Sequence, residues 1–494
     1  MRVRTLRFSR WISLSAVIFG VICIGFTSWT TAATPLTFDP KQWLQDLEQV
    51  KEAFSTKYAN FEWLVFEHES DLNGLFADTR ARIESASSDA DARAALDRLA
   101  RRLSDGHVRF RWIVDHSSTV PKANCESLGY DPRMQGQPVA ALMPGYSPLL
   151  SGTTNEFPAG LVQVAGHKLG VLKIGLFSPL GYPELCAAAL GALKIVPDSP
   201  CPEECADRIE KWAADRMTSD IAAQLTSLKS AGADVLVVDV ADNGGGTEWA
   251  EVAARMVTAV RLKSERIAFV RGSHWETQFA KKEIELRESA RSAHGKDKAL
   301  LTNLADQVEI RRNEAAMRCD STPFWSGNRP PCAWLGEGFY SSGLLDSDAD
   351  QLHGKPWASL IFKPARFNYS AGLWSGPLIV LINDGTGSAA TQFAAVLQDN
   401  HAAVLIGSPA NGGCGHTAGG TPTILKNSGG ILELPDCARL RADGSNEMMG
   451  VQPDVLVGLG PADGPHRSGI RVLGRMPEAI ELALQASPAP VAHR

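Results

Sequence analysis

The hydrophobic positions change period along the chain, and the changes mark out its parts. Over residues 39–104 they recur every three or four places: Leu44, Leu47, Val50 and Phe54 share one face, and Leu96, Leu99 and Leu103 another. That spacing predicts helices, the first capped by Asp39 with Pro40 at the position where a missing N–H costs least. The second pattern begins near Asp89 and stops at Ser104-Asp105-Gly106, where Gly106 is expected to supply a left-handed cap. His107–Trp112 then alternates as a strand does, placing His107 at a helix-to-strand junction that can hold a side chain rigidly.

Residues 115–160 are rich in Pro, Gly and Ser and read as a connector or small insertion. From Leu161 short apolar runs alternate with helical stretches: Leu169–Phe177, Ala233–Val240, Pro377–Asn383 and Ala402–Ile406. Near-continuous runs of this kind predict a mainly parallel sheet covered by helices on both faces, hence an α/β fold behind an N-terminal helical domain. A charged helical stretch, 262–318, and a Pro-rich loop, 319–345, interrupt the pattern as an insertion able to roof a cleft. The expected division is residues 1–33 as a leader and 34–114 as the helical domain. The connector follows, then 161–480 as the α/β domain and 481–494 as a tail.

The leader changes the picture of where the protein works. Arg2, Arg4, Arg7 and Arg10 precede an apolar stretch from Ile12 to Trp29 and the small residues Thr30–Ala33. These are the parts of a secretory signal, with cleavage expected after Ala33. An uncleaved anchor over 12–29 is the alternative; either way the body is exported, to the periplasm or the extracellular space. The nine cysteines agree: with Cys23 in the leader, an even set remains, which in an exported chain predicts disulfides. Cys319 is expected to pair with Cys332, and Cys414 with Cys437. The other pairings stay open. Zinc is a weak competitor without a CxxC pair or HExxH, and neither metal nor cofactor is expected. The net charge of −6, carried by a chain whose only basic tract is its leader, disfavours nucleic acid. Composition, at 44% hydrophobic and 21% charged, is that of an ordinary globular protein.

Two strand–loop–helix units could carry chemistry: Asp239–Gly246 and Ile382–Ala390. Ligand sites of parallel sheets form where strands end. Glycines let a backbone turn sharply and present bare N–H groups, and Ser388 at a helix start would sit beside free N–H groups and the positive end of the helix dipole. A tight turn and a simple N-cap are the bland readings of the same residues. Other nucleophile or phosphate motifs fail. GxSxG is broken by Thr386 and Ala390, SxxK by Thr391, and neither glycine-rich phosphate loop is present.

Five segments, in order, resemble motifs of the S41 serine peptidases: LSDGHVRF (103–110), DVADNGGG (239–246), NDGTGSAATQFAAVLQD (383–399), IGSPANGG (406–413) and NEMMGVQPDV (446–455). The family includes C-terminal processing peptidases, tricorn-type core proteases and retinoid-binding-protein repeats. The resemblance implies a ClpP/crotonase-like α/β core with a mainly parallel sheet. One branch of the family uses a Ser/Lys pair, but its lysine is replaced here by Gly412-Gly413-Cys414-Gly415. The resemblance is therefore to the Ser/His/Glu branch. It implies Ser388 as nucleophile, His107 as general base and Glu447 as the carboxylate orienting the histidine. Gly245 and Ala389 are then the expected oxyanion donors, and His416 the alternative base. Asp105 reads as a turn cap. Two departures stand out: Ala241 where the family usually has Arg, and Thr391 where it usually has Glu. Tail recognition of the kind a PDZ domain provides is unsupported, since 115–160 is too short for one.

The chemistry accounts for each residue type. Serine must lose its proton to a base to attack a carbonyl; a neutral histidine suits that task, and a carboxylate fixes its tautomer. The expected activity is hydrolysis of peptide bonds in a polypeptide substrate through an acyl-enzyme. A non-catalytic peptide- or ligand-binding protein on the same scaffold and an esterase using the same triad are the alternatives.

Overall fold

Seven strands make the central sheet, in the order Val455–Leu456, Val404–Gly407, Leu378–Ile382, Val235–Asp239, His167–Lys173, Ala159–Val164, Ser147–Pro148. The first five run parallel, and the last two add antiparallel strands at one edge. This is the mainly parallel α/β sheet expected from the apolar runs. The computed structural model describes residues 38–112, 120–149, 156–346, 352, 354–415, 422–458 and 463–486. The leader and the alternative base His416 lie outside the described residues.

The apolar runs lack a polar face because both faces of the sheet are covered. Leu236, Val238, Val380 and Ile382 point into one core, packed under helices Glu203–Ser230, Trp249–Met256 and Ala389–Asp399. Val235, Val237, Ile379 and Leu381 point into the other, closed by helix Pro465–Ala486. With a side-chain period of two, each strand must be apolar at every position. The last helix continues through 481–486, so the expected tail begins later than residue 481.

The N-terminal residues form helices Pro40–Lys57, Leu72–Glu84 and Asp89–Arg102, with a π-helical turn at Trp63–Glu67. Ser88 caps the third by accepting from the Asp91 N–H; Asp89 and Asp91 lie in its first turn and Arg101 and Arg102 in the last, matching the helix dipole. The left-handed residue that ends it is Ser104, at φ 56°, not Gly106. Asp105 takes over the turn with its side chain, accepting the His107 N–H at 3.0 Å. These helices dock onto the C-terminal part of the chain. Buried Asp46 accepts the backbone N–H of Asn427 and of Ser428, at 3.0 and 2.8 Å. Arg109–Arg111 pairs antiparallel with Ile431–Glu433.

The interruption at 262–345 contains a helical hairpin, Ser273–Ser292 with Gly295–Ala316, over an antiparallel sheet ordered Cys437–Leu440, Arg266–Val270, Leu335–Tyr340. Among the described residues, no helix is long and apolar enough to cross a membrane.

Four disulfides are present: Cys319–Cys332 and Cys414–Cys437 as expected, and Cys125–Cys186 and Cys201–Cys205. The last two share a small satellite core with Tyr130 and Ile209, fastening the connector to helix Pro183–Ala192. Loop-closure entropy ranks them. The Cys125–Cys186 separation of 61 residues should be worth about 4 kcal/mol and the Cys201–Cys205 separation of 4 about 2 kcal/mol. Paired Cys→Ala variants compared by denaturant unfolding should show the larger loss for Cys125/Cys186.

Candidate active site

The two strand–loop–helix units meet at the carboxyl ends of their strands and are laced together by buried polar groups. Asp239, fully buried at the end of its strand, accepts the N–H groups of Val139 and Ala140, both at 2.8 Å, and that of Ala241 at 3.0 Å. Lys173 donates to the Ala241 carbonyl at 2.6 Å. The loop at position 241, where the family usually has Arg, is thus held through its backbone. Asn383 reaches across from the second unit, accepting the Asp242 N–H at 2.7 Å and donating to Asp242 Oδ1 at 2.7 Å. Thr386 donates its hydroxyl to the Val240 carbonyl, and the Gly387 N–H goes to the Asn243 carbonyl, both at 2.9 Å.

This lacing forces Ser388 into φ 51°, ψ −118°, a conformation costly for a residue with a Cβ. Such strain at a strand-to-helix turn lifts a side chain clear of the backbone, here at the start of helix Ala389–Asp399. Gly245, at φ 116°, approaches so closely that a Cβ on it would lie 2.6 Å from the Ser388 Cβ. Among the described residues, no hydrogen bond engages the Ser388 hydroxyl. Gly245 is not a free oxyanion donor, because its N–H goes to Asn243 Oδ1 at 2.9 Å. The Ala389 N–H and the Gly246 N–H have no acceptor among the described residues, and both residues line the cleft beside Ser388.

That cleft has a volume of about 660 Å³. The insertion supplies its apolar wall, Phe269, Trp275, Phe279, Phe339 and Leu344, while Ser388, Gln392, Arg439 and Gly415 supply the opposite side.

Arg439, 6% exposed, organises the polar side. Its Nε donates to Glu447 Oε2 at 2.6 Å, its Nη1 to Gln392 Oε1 at 2.6 Å, and its Nη2 to the carbonyls of Ser388, at 3.0 Å, and Gly413. Glu447 Oε2 also accepts the Gly413 N–H at 3.0 Å. Gly413 is therefore held by both of its backbone polar groups, and the Cys414–Cys437 disulfide fixes the next residue to the strand bearing Arg439. Residues 411–415 form a strap, and Thr391, where the family usually has Glu, pins its entry by donating to the carbonyls of Thr386, at 3.2 Å, and Asn411.

His107 lies on the strap. A Cβ on Gly415 would lie 2.0 Å from His107 Cδ2 and 2.2 Å from Nε2, and one on Gly413 would lie 3.6 Å from Nδ1. The strap touches His107 on one side, and Arg439 ties it to Ser388 on the other; the Ser388 hydroxyl and the imidazole do not hydrogen-bond. The carboxylate beside the imidazole is Asp105, whose Oδ1 lies 3.5 Å from His107 Nδ1. Among the described residues Glu447 makes no ion pair with His107; it is spent instead on Arg439 and Gly413, a placement that differs from the expected one. Asp105 is buried, and Oδ2 accepts from Tyr58 at 3.0 Å and Asn60 at 3.1 Å. Burial alone raises its pKa, but hydrogen bonds and charge from His107, with help from Asn60, leave it lowered. Asp105 is thus an ionised acceptor. Burial, together with Asp105, holds the Tyr58 hydroxyl protonated, with a pKa well above the ordinary value.

Sequence reasoning singled out Ser388, His107 and Glu447 but not Arg439 and Gln392, and read Asp105 as a cap only. Asp105 had a visible signal, lying two residues from His107. Arg439 had none, since a lone arginine in a short strand looks like any solvated one. No group of three or more His, Cys, Asp or Glu side chains is placed to hold a metal among the described residues.

The sequence profile of Peptidase family S41 matches residues 208–457, about half of the chain. The chain belongs to peptidase family S41. It is accordingly a serine-type peptidase, a hydrolase acting on polypeptides. The matched span of this S41 peptidase includes Ser388, Arg439 and Glu447 and leaves out Asp105 and His107. Among solved structures, mature CPAF is similar over 92% of this chain and 99% of its own, at 15% identity and a TM-score of 0.56. CPAF complexed with lactacystin is similar over 90% and 98%, at 13% identity and a TM-score of 0.53. The likeness extends the shared fold over the N-terminal helices. No curated protein matches the chain.

The contact between His107 and the strap gives a direct test. Gly415→Ala should push the imidazole aside and lower kcat/KM by about 10²-fold, with an unchanged circular dichroism spectrum and melting temperature.

Proposed function

We propose that the protein is an exported peptidase in which Ser388 attacks the peptide carbonyl and His107 takes its proton. The observation that carries this reading is the strained Ser388, unengaged, at a helix start within the family-matched span and facing a cleft. In the proposed cycle the Ala389 N–H, aided by the helix dipole and by Gly246, stabilises the tetrahedral oxyanion. His107 then returns the proton to the leaving amine, and water releases the acyl group. Serine and imidazole come into contact when bound substrate turns the ring, since catalytic hydrogen bonds often tighten only in the bound state.

For the carboxylate, the proposal departs from the expectation drawn from the family. Asp105 is the acid against Nδ1 and supplies the orienting charge, while Glu447 acts at one remove by anchoring Gly413. Export is supported by the four disulfides, which persist in oxidising compartments. The aromatic wall of the cleft supports substrates carrying a large apolar side chain next to the scissile bond.

Fluorophosphonate labelling followed by peptide mapping tests the nucleophile: Ser388 should carry the label, and Ser388→Ala should abolish both label and turnover. An active Ser388→Ala variant would overturn the assignment. Asp105→Asn should lower kcat by on the order of 10⁴ through the wrong tautomer, with Glu447→Gln milder; the reverse order would return the orienting role to Glu447. In a peptide library, Phe279→Ala should weaken the preference for aromatic over small side chains by ~10-fold, measured as kcat/KM ratios.

A further inference from the structure

Behind the strap lies a buried carboxyl that the proposed chemistry does not use. Glu265, directly before strand Arg266–Val270, is 4% exposed, and neither of its carboxyl oxygens has a hydrogen-bond partner. Glu447 is fully buried and has a complementary deficit: Oε2 is doubly satisfied, but Oε1 has no partner. Two orphaned carboxyl groups in one buried cluster are costly if both are ionised, because each leaves lone pairs unsatisfied and like charges repel. The strand register brings these groups together: Leu440 pairs with Arg266 and bridges Asn446, which sets Glu265 beside Arg441 and puts Glu447 one residue past the bridge. The charged groups acting on Glu265 are Glu447 on its turn, Arg439 and Arg441 on and beyond strand Cys437–Leu440, and Asp399 at the end of helix Ala389–Asp399. Arg439 is committed to Glu447, Gln392 and the two carbonyls, and Arg441 directs Nε and Nη2 at Asp399 and Gln398. Three carboxyl groups therefore meet two guanidinium groups. One proton balances the cluster.

We infer that Glu265 is a positioning residue: as an un-ionised carboxyl it donates a hydrogen bond to Glu447 Oε1, and so holds Glu447, Arg439 and, through them, Gly413 beneath His107. The titration of Glu265 agrees with this role, for burial first and the Glu447 charge second hold its pKa well above the ordinary carboxylate value. Ionisation at alkaline pH would place a second negative charge behind the strap and release it. The sign of the stability effect follows from the same shift. The folded state keeps a proton that the unfolded chain gives up, so stability falls as pH rises from the ordinary glutamate range toward the folded pKa.

The inference rests on the proposed roles of Ser388 and His107 for its kinetic test only. Isotope-edited infrared spectroscopy of the intact protein at pH 8 should show the C=O band of an un-ionised carboxyl, lost in Glu265→Gln. Absence of that band would overturn the inference whatever the enzyme's activity. In kinetics, Glu265→Ala should lower kcat by about 10–100-fold with little change in KM. Glu265→Gln, whose amide can still donate to Glu447, should recover most of that loss and no longer show the alkaline fall of the wild type. Equal rates and equal pH profiles in all three proteins would also overturn it. Fluorophosphonate labelling of Ser388 in each variant keeps the two readings apart: an unlabelled wild type argues against the catalytic assignment, while the infrared band still reports on Glu265.

Discussion

One buried guanidinium holds the candidate site together. Arg439 is the point at which the Ser388 turn, helix Ala389–Asp399, the strap under His107 and the Glu447 turn are joined, each by its own hydrogen bond to one planar cation. Arginine suits this because its donors diverge in a fixed plane and its charge cannot be titrated away. A buried cation is costly unless fully paired, and here Glu447 supplies the counter-charge while three carbonyl oxygens complete the shell. Gln392 extends the network by donating to buried Glu251 at 2.7 Å, and Glu251 pairs with Arg255. Helix Ala389–Asp399 is therefore backed by a continuous polar chain inside a largely apolar core.

The parallel sheet could be read from the sequence because its strands have no polar side to confuse the pattern, and the two loops because glycines and asparagines cluster where strands end. Ser388 was recognisable for a related reason. A serine directly ahead of a helix, behind Gly385 and Gly387, also reads as a plain N-cap, but the family segment around it is specific. Less could be read wherever a side chain's meaning depends on partners far away in sequence. Glu447 stands in a recognisable segment, yet its partners are Arg439 and Gly413, and nothing in the segment states which neighbour it will face. Gly245 was expected to offer its N–H to substrate; Asn243, two residues earlier, takes that hydrogen instead. Gly106 was expected to make the left-handed turn that Ser104 makes, because the Asp105 side chain can close the turn itself.

The two departures from the family pattern have local compensations. Ala241 needs no long side chain, since Asp239 and Lys173 take its N–H and carbonyl. Thr391 uses a hydroxyl to join helix Ala389–Asp399 to the strap, a shorter link than a glutamate would make. The insertion at 262–345 has a similar double character, for its antiparallel sheet incorporates the strand that carries both Cys437 and Arg439. Cleft wall and site scaffold are one piece of structure.

The pairing of Arg109–Arg111 with Ile431–Glu433 spans more than three hundred residues. His107 can be seated only after the hairpin beyond residue 423 has been synthesised and folded, and contacts of such long range form late. A ribosome-bound or prematurely terminated chain would hold its serine and its histidine on unconnected segments. The proposed serine–histidine pair can therefore assemble only in a chain that already contains residues 423–433.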